Sequence, residues 1–144
     1  MSIYYRYKKS LGGFRSLVEL MEVTPLARRQ KMIELGLKED PEYTQKALNF
    51  IISFQDIIES SNEELTEILY KVKNSMIIGY SINGKPESIK ERFVKLAPRN
   101  LAADIQLVCD GNVGNMEKTG AQIRMISAAR ELERNNFIKI KKIA

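Results

Sequence analysis

An apolar stretch set between two helix starts constrains this chain more than any other feature. Asp40-Pro41-Glu42 opens the run, and Phe50-Ile51-Ile52-Ser53-Phe54-Gln55-Asp56-Ile57-Ile58 closes it. An aspartate before a helix accepts one of the orphan backbone N–H groups, and proline at the first helical position lacks only a donor that has no partner there. The segment predicts a helix from Pro41 to about Ile52, an apolar hinge, and a second helical block with its own cap. Nothing in it is catalytic grammar; it describes helices hung on a bendable connection.

The same punctuation recurs along the chain. Thr24-Pro25 predicts a helix that carries Leu26, Met32, Ile33 and Leu35 and stops at Gly36. Ser61-Asn62-Glu63-Glu64 fits a capping box, with Glu64 reaching back and Leu65, Ile68, Leu69 and Val72 as the buried stripe. Pro86 and Pro98 open two more helices, and the stretch Met76–Ile82 reads as a short apolar one. In the Pro98 helix, Leu101, Ala102, Ile105, Leu107 and Val108 are expected inward. After the loop Asp110–Asn115, a long helix runs from Met116 to Asn135. Residues 1–10 are basic and tyrosine-rich and read as a tail or an irregular lead-in, followed by a flexible Gly12-Gly13 joint. Phe137–Lys141 alternates like a short strand or a docked tail. Short helices with brief connections predict an all-α fold built of helix pairs.

Composition narrows the function. There is no histidine, which removes the commonest general base and zinc ligand, and one cysteine, Cys109, excludes an internal disulfide. No catalytic residue, metal site or cofactor is expected. The net charge of +5 suits nucleic acid, anionic lipid or an acidic protein face without choosing among them. No apolar run approaches the roughly 20 residues of a membrane span, and a cytoplasmic location with no membrane insertion is the expectation.

Each candidate site has a plainer reading. Glu63, Glu64 and Glu67 complement the dipole at a helix start. Lys8, Lys9, Lys139, Lys141 and Lys142 lie at two ends with no interleaved aromatic platform, a weak nucleic-acid signal that favours a solvated or partner-facing surface. The loop Asp110–Asn115 lacks the glycine spacing of a phosphate loop. Cys109 and the methionines, Met76 and Met116 among them, read as core.

In order and spacing, these landmarks resemble the C-terminal half of the FliG family, the rotor switch proteins of the bacterial flagellum. Gly12-Gly13-Phe14 resembles the family's Gly-Gly-Val joint, and Glu39-Asp40-Pro41-Glu42 its Glu-Asp-Pro-Glu helix start. Ile51-Ile52-Ser53-Phe54 falls on its Met-Phe-x-Phe hinge. Glu91-Arg92-Phe93 and Ala102-Ala103-Asp104 are similar to its Glu-Lys-Phe and Ala-Ala-Asp or Ala-Ala-Glu, and Ile138-Lys139-Ile140 echoes its tail. The division expected is a basic tail and Gly-Gly joint at 1–13, and, as the resemblance implies, an armadillo-like lobe over 14–53 and a six-helix-type lobe over 54–144. Gly12, Gly13, Ile51, Ile52, Ser53 and Phe54 would be its hinges. It implies stator or rotor-ring proteins as partners, a place at the flagellar basal body, self-association through the armadillo-like lobe, and one charged helix that transmits torque.

The implied partner-contact positions are Asn83, Arg99, Asp104, Val108 and Gly114. Asn83 stands where the family has a lysine, and Gly114 where it has an arginine. The family's adjacent acidic pair falls near Val108-Cys109, an apolar stretch, and only Arg99 matches a charged position of that helix. Charge-based torque transfer is therefore expected to be impaired. The chain begins past the family's N-terminal domain and nearly all of its middle domain. Read as starting at residue 1, it is expected to lack their means of installing the protein in the rotor. A rotor component or paralogue is the leading reading. The alternatives are a scaffold or adaptor that reuses the fold and docks through an apolar 101–109 face, and a small basic nucleic-acid binder.

Overall fold

The computed structural model describes residues 3–143, the side chain of Ile3 excepted. Met1, Ser2 and Ala144, which fall in the expected segments 1–13 and 54–144, lie outside the described residues. Among those described, ten α-helices and one 3-10 turn account for all regular structure, and there is no strand. The helices are α1 (Ile3–Lys9), α2 (Gly13–Val23), α3 (Leu26–Glu39), α4 (Pro41–Phe50), α5 (Phe54–Ile58), α6 (Asn62–Val72), α7 (Ser75–Ile82), α8 (Glu87–Leu96), α9 (Ala102–Cys109) and α10 (Asn115–Arg134). The 3-10 turn, Arg99–Leu101, precedes α9. The chain forms two compact units, one of residues 1–52 with 141–144 and one of 53–140.

In the first unit α1 packs on α2, α2 on α4, and α3 on α4. Its core joins Tyr4, Leu17, Val18, Met21, Ala47 and Ile143, ringed by Tyr7, Phe14, Met32, Ile33, Tyr43, Phe50 and Ile51. Residues 3–9 are thus helix rather than the expected tail. Tyr4 is buried and donates its hydroxyl to the Met32 carbonyl, which ties α1 to α3. Gly12, at φ +70°, is the N-cap of α2. Gly13 is buried, and a Cβ there would meet the Tyr7 carbonyl oxygen at 1.7 Å. The glycine pair is therefore a tight turn inside this unit.

Asp40 caps α4 by accepting the Tyr43 N–H at 3.2 Å, with Pro41 at the first helical position, as the sequence predicts. Two other punctuation marks act differently. Pro25 is the N-cap of α3, while Thr24 closes α2. α3 runs through Gly36, because its bare Cα lets α4 and α1 approach; a Cβ would lie 2.5 Å from both Thr44 Oγ1 and Tyr4 Cζ.

In the second unit α7 lies between α9 and α10, α6 packs on α8 and α10, and α8 packs on α9. Ile57, Leu65, Ile68, Leu69, Ile78, Ile82, Phe93, Ile105 and Met125 are fully buried. On α10, Ala121, Met125, Ile126, Ala129 and Leu132 keep the helical three- and four-residue spacing and turn inward. Ser61 caps α6 through the Glu64 N–H at 3.1 Å, but Glu64 Oε2 accepts from the Lys139 N–H at 2.9 Å, so it also holds the tail. The alternation in Phe137–Lys141 belongs to a docked tail with Ile138 buried. Met76 and Met116 are exposed rather than core.

Candidate functional site

The expected hinge Ile51–Phe54 spans the boundary of the two units, and each half is anchored on its own side. Ile51 packs against the core of the first unit. The Ile52 N–H donates to Glu22 Oε2 at 2.8 Å, and Glu22 on α2 is 1% exposed. A buried side-chain oxygen that accepts a backbone N–H satisfies a donor that water cannot reach. On the other side, Ser53 and Asp56 form a reciprocal capping box, with N–H to side-chain oxygen distances of 3.1 and 2.9 Å. Phe54 is buried beside Phe93, ring centroids 6.1 Å apart. The peptide between Ile52 and Ser53 is where the backbone passes from one unit to the other.

Arg92 braces the second unit near this point. Its Nε donates to Asn62 Oδ1 at 2.9 Å, Nη1 to the Ile58 carbonyl at 2.7 Å and Nη2 to the Ser60 carbonyl at 2.5 Å. One planar guanidinium thus closes the α5–α6 turn onto α8, a geometry an ammonium cannot copy. Sequence reasoning noticed Glu91-Arg92-Phe93 as a motif but gave Arg92 no task. It missed Glu22 altogether, although a glutamate beside Met21 in an apolar stripe was a signal of a buried charge.

The five expected partner-contact residues have different local environments. Asn83, the C-cap of α7, points its amide Nδ2 at the carbonyls of Cys109 (3.0 Å) and Gly111 (2.7 Å). It is a clasp between α7 and the end of α9. Val108 is half-buried against Gly79, where a Cβ would meet Val108 Cβ and Cγ1 at 2.6 Å, so α7 and α9 touch through a bare Cα. Gly114 is the N-cap of α10 at φ −71°, an ordinary conformation. Arg99 and Asp104 alone are exposed side chains.

The apolar face expected over 101–109 divides. Ile105 and Cys109 turn inward, while Leu107, expected inward, is 75% exposed. α9 is apolar on nearly every side, so spacing could not choose its buried face. At its end, Asp110 accepts from Gln106 Nε2 at 2.6 Å and pairs with Lys90 at 3.1 Å. The Gln106 hydrogen bond and then Lys90 hold the Asp110 carboxyl below the usual range. Burial, and next the Asp110 charge, push the Cys109 thiol up, which disfavours a reactive thiolate. No cluster of metal-ligating side chains occurs among the described residues. No helix among them is long and apolar enough to cross a membrane.

The FliG C-terminal domain model matches residues 37–140, from the end of α3 through the last residue of the second unit. The chain belongs to this FliG family. A curated relative, the flagellar motor switch protein FliG of Aquifex aeolicus (strain VF5), is 27% identical over 135 residues. That alignment covers 90% of this chain and 40% of the relative, so the chain spans less than half the length of that FliG. A crystal structure of part of FliG from H. pylori superimposes with a TM-score of 0.64 at 16% identity, covering 95% of this chain and 65% of that one. The all-α fold is thus shared with FliG, and the family extends across the Ile52–Ser53 crossing.

Proposed function

We propose that this chain is a FliG-like rotor component that acts through protein–protein contacts in bacterial motility, with no catalytic step of its own. It would work on the cytoplasmic side of the flagellar base, against stator or rotor-ring proteins. The observation that carries this reading is the family match over 37–140, which includes both anchored halves of the joint. In this role the joint Ile51–Phe54 lets the two units reorient. Burying one large apolar side chain is worth roughly 1.5–3 kcal/mol, so an arrangement of the units that drew Phe54 away from Phe93 would be disfavoured by about that much.

The contact itself would be only weakly electrostatic. Arg99 and Asp104 are the exposed charges of the expected helix, and Asn83 is committed to the clasp. Exposed ion pairs steer a transient contact but add little affinity. A second reading, a scaffold that docks through α9, is favoured by one observation, the 75% exposure of Leu107.

Purified stator cytoplasmic loop and rotor-ring protein, titrated at low and high salt against wild type, Asp104→Arg and Leu107→Glu, separate the two. Binding that salt and Asp104→Arg both abolish supports a residual motor contact. Binding that survives salt and is lost in Leu107→Glu supports the scaffold. A folded chain that binds neither protein at any salt refutes the rotor reading.

A further inference from the structure

The backbone passes between the units a second time, after Ile140. Before that point it is held by the second unit, through Lys139 N–H on Glu64 Oε2 at 2.9 Å. After it, Lys141 Nζ donates to the Asn49 carbonyl at 3.2 Å, and Arg15 Nη2 to the Ile143 carbonyl at 3.0 Å. Ile143 is 7% exposed and belongs to the same core as Leu17, Val18, Met21 and Ala47. Lys141 itself sits in the left-handed region, at φ +46°, a conformation a lysine keeps only when its surroundings impose it. The segment 141–143 is therefore a seated strap rather than a trailing end.

We propose that this strap is a second tether that limits reorientation at Ile52–Ser53. A single covalent crossing leaves a joint free to swing and to twist. A second crossing, pinned on both sides, removes most of the twist and leaves a restricted hinge. Lifting Ile143 out of its seat converts the restricted joint into a free one, so the strap is a device that sets the amplitude of any rearrangement. The inference needs only the two crossings and holds whether or not the chain works in a motor.

The test uses the full chain with spin labels at Lys31→Cys and Lys95→Cys, both exposed, and with Cys109 left in its buried place. Distance distributions are compared for the chain as it stands, for a flexible insert of about six Gly/Ser residues between Ile140 and Lys141, and for Ile143→Asp. Such an insert adds an r.m.s. span of about 13 Å while leaving both anchor sets intact. Both variants are expected to broaden the distribution by several ångströms, within the added span of about 13 Å, with hydrogen-exchange protection of α1, α2 and α4 retained in the insertion. An unchanged width in the insertion variant overturns the proposal. Broadening that comes with lost protection of α2 also overturns it, because the segment would then be ordinary core and not a separable strap.

Discussion

Replacing Asn83 tests the assignment of this residue to a clasp. Its amide gives both N–H groups away, to the Cys109 carbonyl at 3.0 Å and the Gly111 carbonyl at 2.7 Å. A typical hydrogen bond contributes about 0.5–1.5 kcal/mol net. The bond to Gly111 is exposed and water replaces it readily; the bond to Cys109 is partly buried. Asn83→Ala should therefore cost about 1 kcal/mol, the middle of that range for the one partly buried bond. Asn83→Asp keeps the shape but turns two donors into acceptors facing two carbonyls. A carboxylate beside the C-terminal end of α9 also meets the negative end of the helix dipole, about 0.3–1 kcal/mol further unfavourable. Asp should thus be worse than Ala by about 1 kcal/mol or more, combining that term with the lost bonds. The deficit should shrink in acid, where a protonated Asp recovers one donor. Hydrogen exchange of α7 and α9 peptides across a urea series reads the effect directly. The clasp is refuted if Asn83→Asp matches wild type, or if Ala proves worse than Asp.

Two further outcomes follow from the same kind of reasoning. Arg92→Lys should destabilise the second unit by about 2–4 kcal/mol, since bonds from a charged donor are worth about 1.5–3 each and an ammonium cannot span three acceptors; a urea midpoint equal to wild type would contradict this. The Lys8 hydrogen bond, and next the Tyr43 N–H, lower the Asp40 pKa below its ordinary 3.8. The folded value lies under the unfolded one, so this contribution is fully present above 3.8 and disappears as pH falls through the folded pKa. Melting curves across that acid limb should flatten in Asp40→Asn, and an unchanged pH slope would count against the pair.

What the sequence disclosed was mostly local. Asp40-Pro41 and Ser61 could be read as caps because a cap is made within four residues of itself. The stripe of α10 could be read because polar residues break it on the outer side. α1 escaped because Arg6, Lys8 and Lys9 mask the Tyr4–Tyr7 pair that faces inward. Asn83 was named a contact residue by its place in the family pattern, and its clasp could not be read because its partners lie 26 and 28 residues away. Leu107 was misplaced because α9 has only Asp104 and Gln106 as polar residues, and the weight of Asp104, one turn before Leu107 on the exposed side, was overlooked. Nothing in the short run Lys141–Ile143 announces that it leaves one unit for the other.

Glu22 has a mechanical meaning as well. Any pull on the second unit through the Ser53 crossing reaches the first unit at the Ile52 amide, and the bond to Glu22 is the first non-covalent element in line. Load then passes into α2, whose Leu17, Val18 and Met21 are fully buried, and spreads through a helix rather than peeling α4 from its end. At this crossing the backbone is thus anchored on both sides of one peptide, by Glu22 on Ile52 and by the capping box on Ser53. On the proposed rotor reading, a part built this way would pass force from one unit to the other through the buried core of α2.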